Sequence, residues 1–141
     1  MLFRTIDSIA RGCEAIWLLL GRIGLGVLFV PSGFGKLMDP SRMTAMLTGK
    51  GFPAPMAWAY LAGAIELVGG IAIIVGLKTR SFGLLLCIFT LVAAYLGHPY
   101  WTMADAARAQ NHVHFWKDIA IAGGFLFVFV RGAGALSLDR A

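Results

Sequence analysis

A small set of side chains able to hold or move a proton stands in or beside long apolar stretches of this sequence. Glu66 is the lone charge in "AIELVGGIAIIVG" (64–76). Arg22 lies within "LLLGRIGLGVLFV" (18–30), and Lys36 closes the same run. His98 ends a third run, and His112, His114, Lys117 and Asp118 open a fourth, with Tyr100, Trp101 and Trp116 among them. Imidazole exchanges protons near neutral pH, and a carboxyl or ammonium group can join it in a relay or bind a polar ligand head. Glu66, His98 and Lys117 are therefore the candidate catalytic groups, and Arg22, Lys36, Glu66, His98, Trp101, His114, Lys117 and Asp118 the candidate ligand contacts. "HVH" (112–114) does not point to a metal, because positions i and i+2 diverge on a helix and further ligands would have to come from distant His98 or Met103. Cys13 and Cys87 form no C-x-x-C pair, which argues against a thiol oxidoreductase; Cys87 reads as a small core hydrophobe.

The elements that must position these groups follow from composition. Of 141 residues, 59% are hydrophobic and 13% charged, with mean hydropathy +0.80, well outside the range of soluble domains. A hydrocarbon core about 30 Å thick needs ~20 mostly apolar helical residues to cross it. Runs of that kind cover about 15–35, 57–77, 81–97 and 115–130. They lack the alternation of barrel strands, so the expectation is an all-α membrane protein: one transmembrane domain over 1–141, built as a four-helix bundle. The first run is too long for a signal-peptide core and has no small-x-small cleavage site, so it reads as a retained helix. Arg4, Arg11, Lys78, Arg80, Arg131 and Arg140 gather on one side; Lys36, Arg42, Lys50, Arg108 and Lys117 gather on the other. That bias favours both termini in the cytoplasm. The net charge of +5 fits anionic headgroups rather than nucleic acid, since no basic run accompanies it.

Within the spans, Gly21, Gly24, Gly26, Gly33 and Gly35 permit close helix packing in lipid, and Pro31 releases the Val27 carbonyl and is expected to kink the first helix. Gly63, Glu66 and Gly70 share a face, which should be the packed one. Glu66 lies ~12 Å of helix rise from Trp58, near the bilayer centre. Without a cation, desolvation favours the neutral acid; the cation weighed for it is Arg22, although the two differ in depth. Arg22 itself is expected to snorkel toward the helix N-terminus as an anchor or interhelical partner. Trp58, Tyr60, Trp101 and Trp116 suit an interfacial aromatic belt, and Lys36 and Lys117 can snorkel to the surface.

"GRIGLGVLFVPSGFGKL", "AIELVGGIAIIVGLKTR", "HPYW", "HFWKDIAIAGGFLF" and "GAGALSLDR", in that order, resemble the DoxX family over nearly the whole chain. One departure is Asp118 in "FWKD", where the family often has Asn. The resemblance implies a multi-pass inner-membrane protein of four helices, with some members linked to quinone-dependent sulfur oxidation or membrane redox complexes. Three functions stay open. The chain can be a redox-associated subunit that binds quinone or joins a membrane oxidoreductase, its apolar helices housing an isoprenoid tail while His, Lys and Tyr groups meet the head. It can be a non-catalytic anchor or assembly subunit, or a small-solute carrier that oligomerises. Electrons in the first case must come from a partner or substrate, because no haem, flavin or iron–sulfur motif is evident.

Overall fold

A computed structural model describes residues 2–139; Arg140, counted above among the basic residues, lies outside them. The expected all-helical architecture is present, with four helices among the described residues long and apolar enough to cross a membrane. In chain order the elements are α1 (Leu2–Gly12), α2 (Glu14–Met38), α3 (Ser41–Gly49), α4 (Pro55–Val75), α5 (Thr79–Gly97), a 3-10 turn (Tyr100–Thr102) and α6 (Asp105–Arg131). The chain divides into two compact units: one holds α1 to α4 and the tail from Ala133, the other spans Thr79–Gly132.

In the first unit, α2 and α4 pack as an antiparallel pair. Lipid offers no hydrophobic drive to bring two apolar helices together, so close backbone approach has to do it. Gly26 and Gly33 on α2 meet Gly70 and Gly63 on α4, each pair of glycines seven positions apart. A Cβ at Gly26 would sit 2.7 Å from the Gly70 carbonyl oxygen, and one at Gly33 would sit 2.6 Å from that of Gly63 and against the Leu67 amide. Gly21, Gly24 and Gly35 have open space around them and play no such part. Gly33→Ala is therefore expected to lower the thermal stability of the purified protein. Gly35→Ala should leave it unchanged or raise it by up to about 1 kcal/mol from helix propensity. Equal melting temperatures for the two variants would refute this account of the interface.

Helix α2 runs through Pro31 to Met38 without interruption. The polar segment after it contains a short helix that hydropathy does not reveal. Asp39 Oδ1 accepts the Ser41 N–H at 3.0 Å as α3 starts, and hydrogen bonding by the Ser41 side chain, then by its amide, draws the Asp39 carboxyl below the usual carboxylate range. Leu47, 2% exposed, ties α3 down. At the far end α4 stops at Gly76, whose φ of +71° suits glycine.

In the second unit α5 lies against α6, with Gly83 close to the backbone of Phe125 and Phe129. Leu86, Cys87, Thr90 and Ala94 form a buried stripe on α5, and Ala122 and Phe125 are buried on α6. Cys87 is thus a packing residue, and Thr90 returns its hydroxyl to the Leu86 carbonyl at 2.6 Å. Helix α6 begins ten residues before the apolar run. "DAARAQ" (105–110) is polar but alanine-rich, and helix propensity carries there what hydropathy does not. Arg80 Nη1 donates to the carbonyls of Phe129 (3.0 Å) and Val130 (2.5 Å), closing the C-terminal end of α6.

Candidate functional site

Each unit gathers its own polar centre. In the first, Lys36 Nζ and Glu66 Oε2 form an ion pair at 2.7 Å, with side chains 25% and 9% exposed. Lys36 also donates to Ser32 Oγ at 2.7 Å. Helix Cα–Cβ bonds lean toward the N-terminus, so Lys36, near the end of α2, directs its ammonium back along the helix past Ser32. Glu66 stands on the α4 face that holds Gly63 and Gly70, all three buried, and Gly33 opposite lies against its Cβ. The cation of Glu66 is therefore Lys36, not Arg22, and Lys36 turns inward rather than snorkelling to the surface.

Arg22 has a different task. It is 1% exposed, so it does not snorkel to water. Nη1 donates to the carbonyls of Ile73 (3.3 Å) and Ile74 (3.1 Å), and Nη2 donates to that of Leu136. Ile73 and Ile74 belong to the last turn of α4, where carbonyls have no partner within the helix and the helix dipole is negative. The tail completes the cap. Leu138 N–H donates to Val75 at 3.0 Å, Asp139 N–H to Gly76 at 2.7 Å, and Asp139 Oδ1 accepts the Lys78 N–H at 2.6 Å. "GAGALSLDR" thus contains the strap that Arg22 and the end of α4 hold in place.

The second unit gathers His98, Asn111, His114, Lys117 and Asp118. His98 follows α5, and the others rise along the first half of α6 at spacings of three and four. Asn111 Nδ2 donates to the Ala107 carbonyl at 2.9 Å, which leaves Oδ1 to face His98 Nδ1 at 2.9 Å. That arrangement places the imidazole proton on Nδ1 and turns Nε2 toward Asp118 Oδ2, 3.7 Å away. In the neutral ring Nε2 is an acceptor, as is the carboxylate. The two oppose each other with room for one donor, either a proton carried by the pair or an O–H group set between them. His114 stacks on His98, centroids 5.0 Å apart, and its Nδ1 lies 3.1 Å from Lys117 Nζ.

Beside these, Tyr100 packs edge-on to His112, Phe115 and Trp101, and Trp101 touches Tyr95. Trp116 Nε1 donates to His112 Nε2 at 3.2 Å. Trp101 belongs to this aromatic layer and makes no ring contact or hydrogen bond to His98. His112 and His114 go to separate partners, and among the described residues no three His, Cys, Asp or Glu side chains come together to hold a metal ion. Sequence reasoning missed Asn111, which lies thirteen positions from His98 in a stretch read as a loop; the alanine-rich helix signal was the clue available.

A four-span helical protein with ionised and protonatable side chains buried between its helices is an integral membrane protein whose polar groups are fixed by structure rather than by water. The DoxX family profile matches residues 17–99, and the chain belongs to that family. It is 38% identical to the inner membrane protein YphA of Escherichia coli (strain K12) over 89% of each chain. It is also 34% identical to the inner membrane protein YqjF of the same organism, over 90% of this chain and 92% of that one. A third relative is the putative oxidoreductase CatD of Bacillus subtilis (strain 168), 35% identical over 55% of this chain and 56% of that one. No solved structure matches significantly. The protein is a multi-pass protein of the inner membrane.

Proposed function

We propose that this protein is a redox-associated membrane subunit that binds a quinone, in its reduced quinol form, at His98 and Asp118. The observation that carries the reading is the pair of opposed acceptors, His98 Nε2 and Asp118 Oδ2, held 3.7 Å apart with Nδ1 committed to Asn111. A quinol hydroxyl is a donor that fits there: it can bridge the two and give its proton to Nε2 when the quinol gives up two electrons, the second hydroxyl releasing its proton to water. His114, stacked on the His98 ring, and Lys117 beside it border the same site. The electrons leave to a partner oxidoreductase, and the name of the CatD relative supports that class of chemistry. Tyr100, Trp101 and Phe115 supply an aromatic wall of the kind a flat ring packs on.

Quinone in the lipid extract of the purified protein tests the reading. The wild type should retain it, and His98→Ala and Asp118→Leu should each retain about tenfold less, as for loss of one charge-assisted hydrogen bond. Insertion should be unaffected. A soluble oxidoreductase that co-purifies while quinone is absent would overturn this reading in favour of a non-catalytic assembly subunit. That second function is favoured by Arg22, whose Nη atoms are directed at backbone carbonyls of α4 and the tail and so serve the fold.

A further inference from the structure

Helix α1 precedes the first span, and the division of its residues gives it a surface that no described residue covers. Ile6, Ile9 and Ala10 stand three and four positions apart along one side, while Arg4, Asp7, Ser8 and Arg11 occupy the other. Ile6 is 52% exposed and Ile9 54%, yet both belong to a helix whose polar side alone would suffice for water. The apolar side does not end with α1. Ile6, Ile9 and Ala10 line a shallow groove together with Trp17, which stands on α2, the first membrane span. From Trp17 the exposed apolar surface continues through Leu20, Ile23 and Val27 along α2, a helix long and apolar enough to cross a membrane. The break between the helices falls at Cys13, where φ is −118° and ψ 24°, and the Cys13 carbonyl accepts the amides of Ile16 and Trp17 as α2 begins.

We infer that α1 lies in the plane of the membrane interface, its Ile6–Ile9–Ala10 side in the acyl-chain boundary and Arg4 and Arg11 toward anionic lipid headgroups. Two features select lipid over a protein partner. The groove is continuous with the exposed apolar surface of α2, so any protein seated on it would have to displace acyl chains at Trp17 as well. The residues opposite the stripe include two arginines against one carboxylate, Asp7, which matches anionic phosphate groups. Trp17, 51% exposed, stands where the amphipathic indole ring is most stable, at headgroup level.

Spin labels decide the matter in the intact protein reconstituted into vesicles of phosphatidylcholine with or without phosphatidylglycerol. After Cys13→Ala and Cys87→Ala, labels are placed by Ile6→Cys and Ser8→Cys, with Ile9→Cys as a second position on the stripe. In anionic vesicles, labels at 6 and 9 should relax with oxygen and lose access to a water-soluble nickel complex, and the label at 8 should do the reverse. In neutral vesicles, or with Arg4→Gln and Arg11→Gln together, nickel access at 6 and 9 should increase. Equal nickel access at 6 and 8 in anionic vesicles overturns the interfacial placement. Shielding of 6 and 9 from both reagents also overturns it and assigns the stripe to a protein. Nickel access that ignores lipid charge and both arginines overturns the headgroup contact.

Discussion

Lys36→Met is expected to destabilise the protein far more than Glu66→Gln, although both break the same ion pair. The asymmetry follows from where each charge can go. Without Lys36, Glu66 is left 9% exposed on the packed face of α4, midway along the helix with Gly33 against its Cβ, where it must keep an unpaired charge or take up a proton. Removing one member of a buried pair and stranding the other costs about 3–5 kcal/mol. Without the carboxylate, Lys36 keeps Ser32 as an acceptor, is already 25% exposed, and can extend its four-carbon stem to the interface. The cost of Glu66→Gln should then be nearer ~1 kcal/mol, the size of one net hydrogen bond. The double variant Lys36→Met/Glu66→Gln should recover most of the loss, because it strands no charge. Thermal unfolding of the three variants in one detergent gives the comparison. A wild-type melting temperature for Lys36→Met, or a double variant worse than Lys36→Met alone, would show that the pair does not hold α2 to α4.

The four spans were legible because twenty or so apolar residues in a row have only one stable use in a bilayer. The packed face of α4 was legible too: Gly63, Glu66 and Gly70 repeat at helical spacing, and a carboxylate cannot face lipid. Depth along the helix and diverging Cβ directions both make Arg22 a poor partner for Glu66, but neither names Lys36; what names it is where a long side chain points. Lys36 is farther along α2 but leans back toward the N-terminus, into the depth that Glu66 occupies. Arg22's acceptors are backbone carbonyls of Ile73, Ile74 and Leu136. Any residue type supplies a carbonyl, so no pattern of side chains could have announced them. The first half of α6 and the short helix α3 were hidden for another reason. A search for apolar runs sees only what lipid covers, and both segments lie in polar sequence. With α6 begun late, Asn111 fell in a presumed loop, and the orientation of His98 fell with it.

The largest effect elsewhere is expected at Arg22, and it should appear first at the C-terminus of the chain. Arg22→Met removes the donors to three carbonyls at once, and each buried polar group left without a partner costs about 1–3 kcal/mol. It also removes a positive charge from the negative end of the α4 dipole, a smaller loss of about 0.3–1 kcal/mol at most exposed sites and more where buried. Arg22→Lys should rescue little. An ammonium group is a single point of charge, whereas the planar guanidinium reaches α4 through Nη1 and the tail through Nη2. The tail is held otherwise by the Leu138 and Asp139 amides and by the contact of Asp139 with the Lys78 amide. With Arg22 gone the segment loses its buried side-chain anchor, and its opening should become local rather than global. Amide exchange at Leu138 and Asp139 should therefore accelerate markedly in Arg22→Met, while amides in the middle of α5, such as Thr90, change little. Asp139→Asn should accelerate the same two amides less, because it keeps an oxygen acceptor for Lys78 and leaves the guanidinium in place. If Leu138 and Asp139 exchange in Arg22→Met as slowly as in the wild type, Arg22 does not hold the strap, and its burial among carbonyls must serve α4 alone.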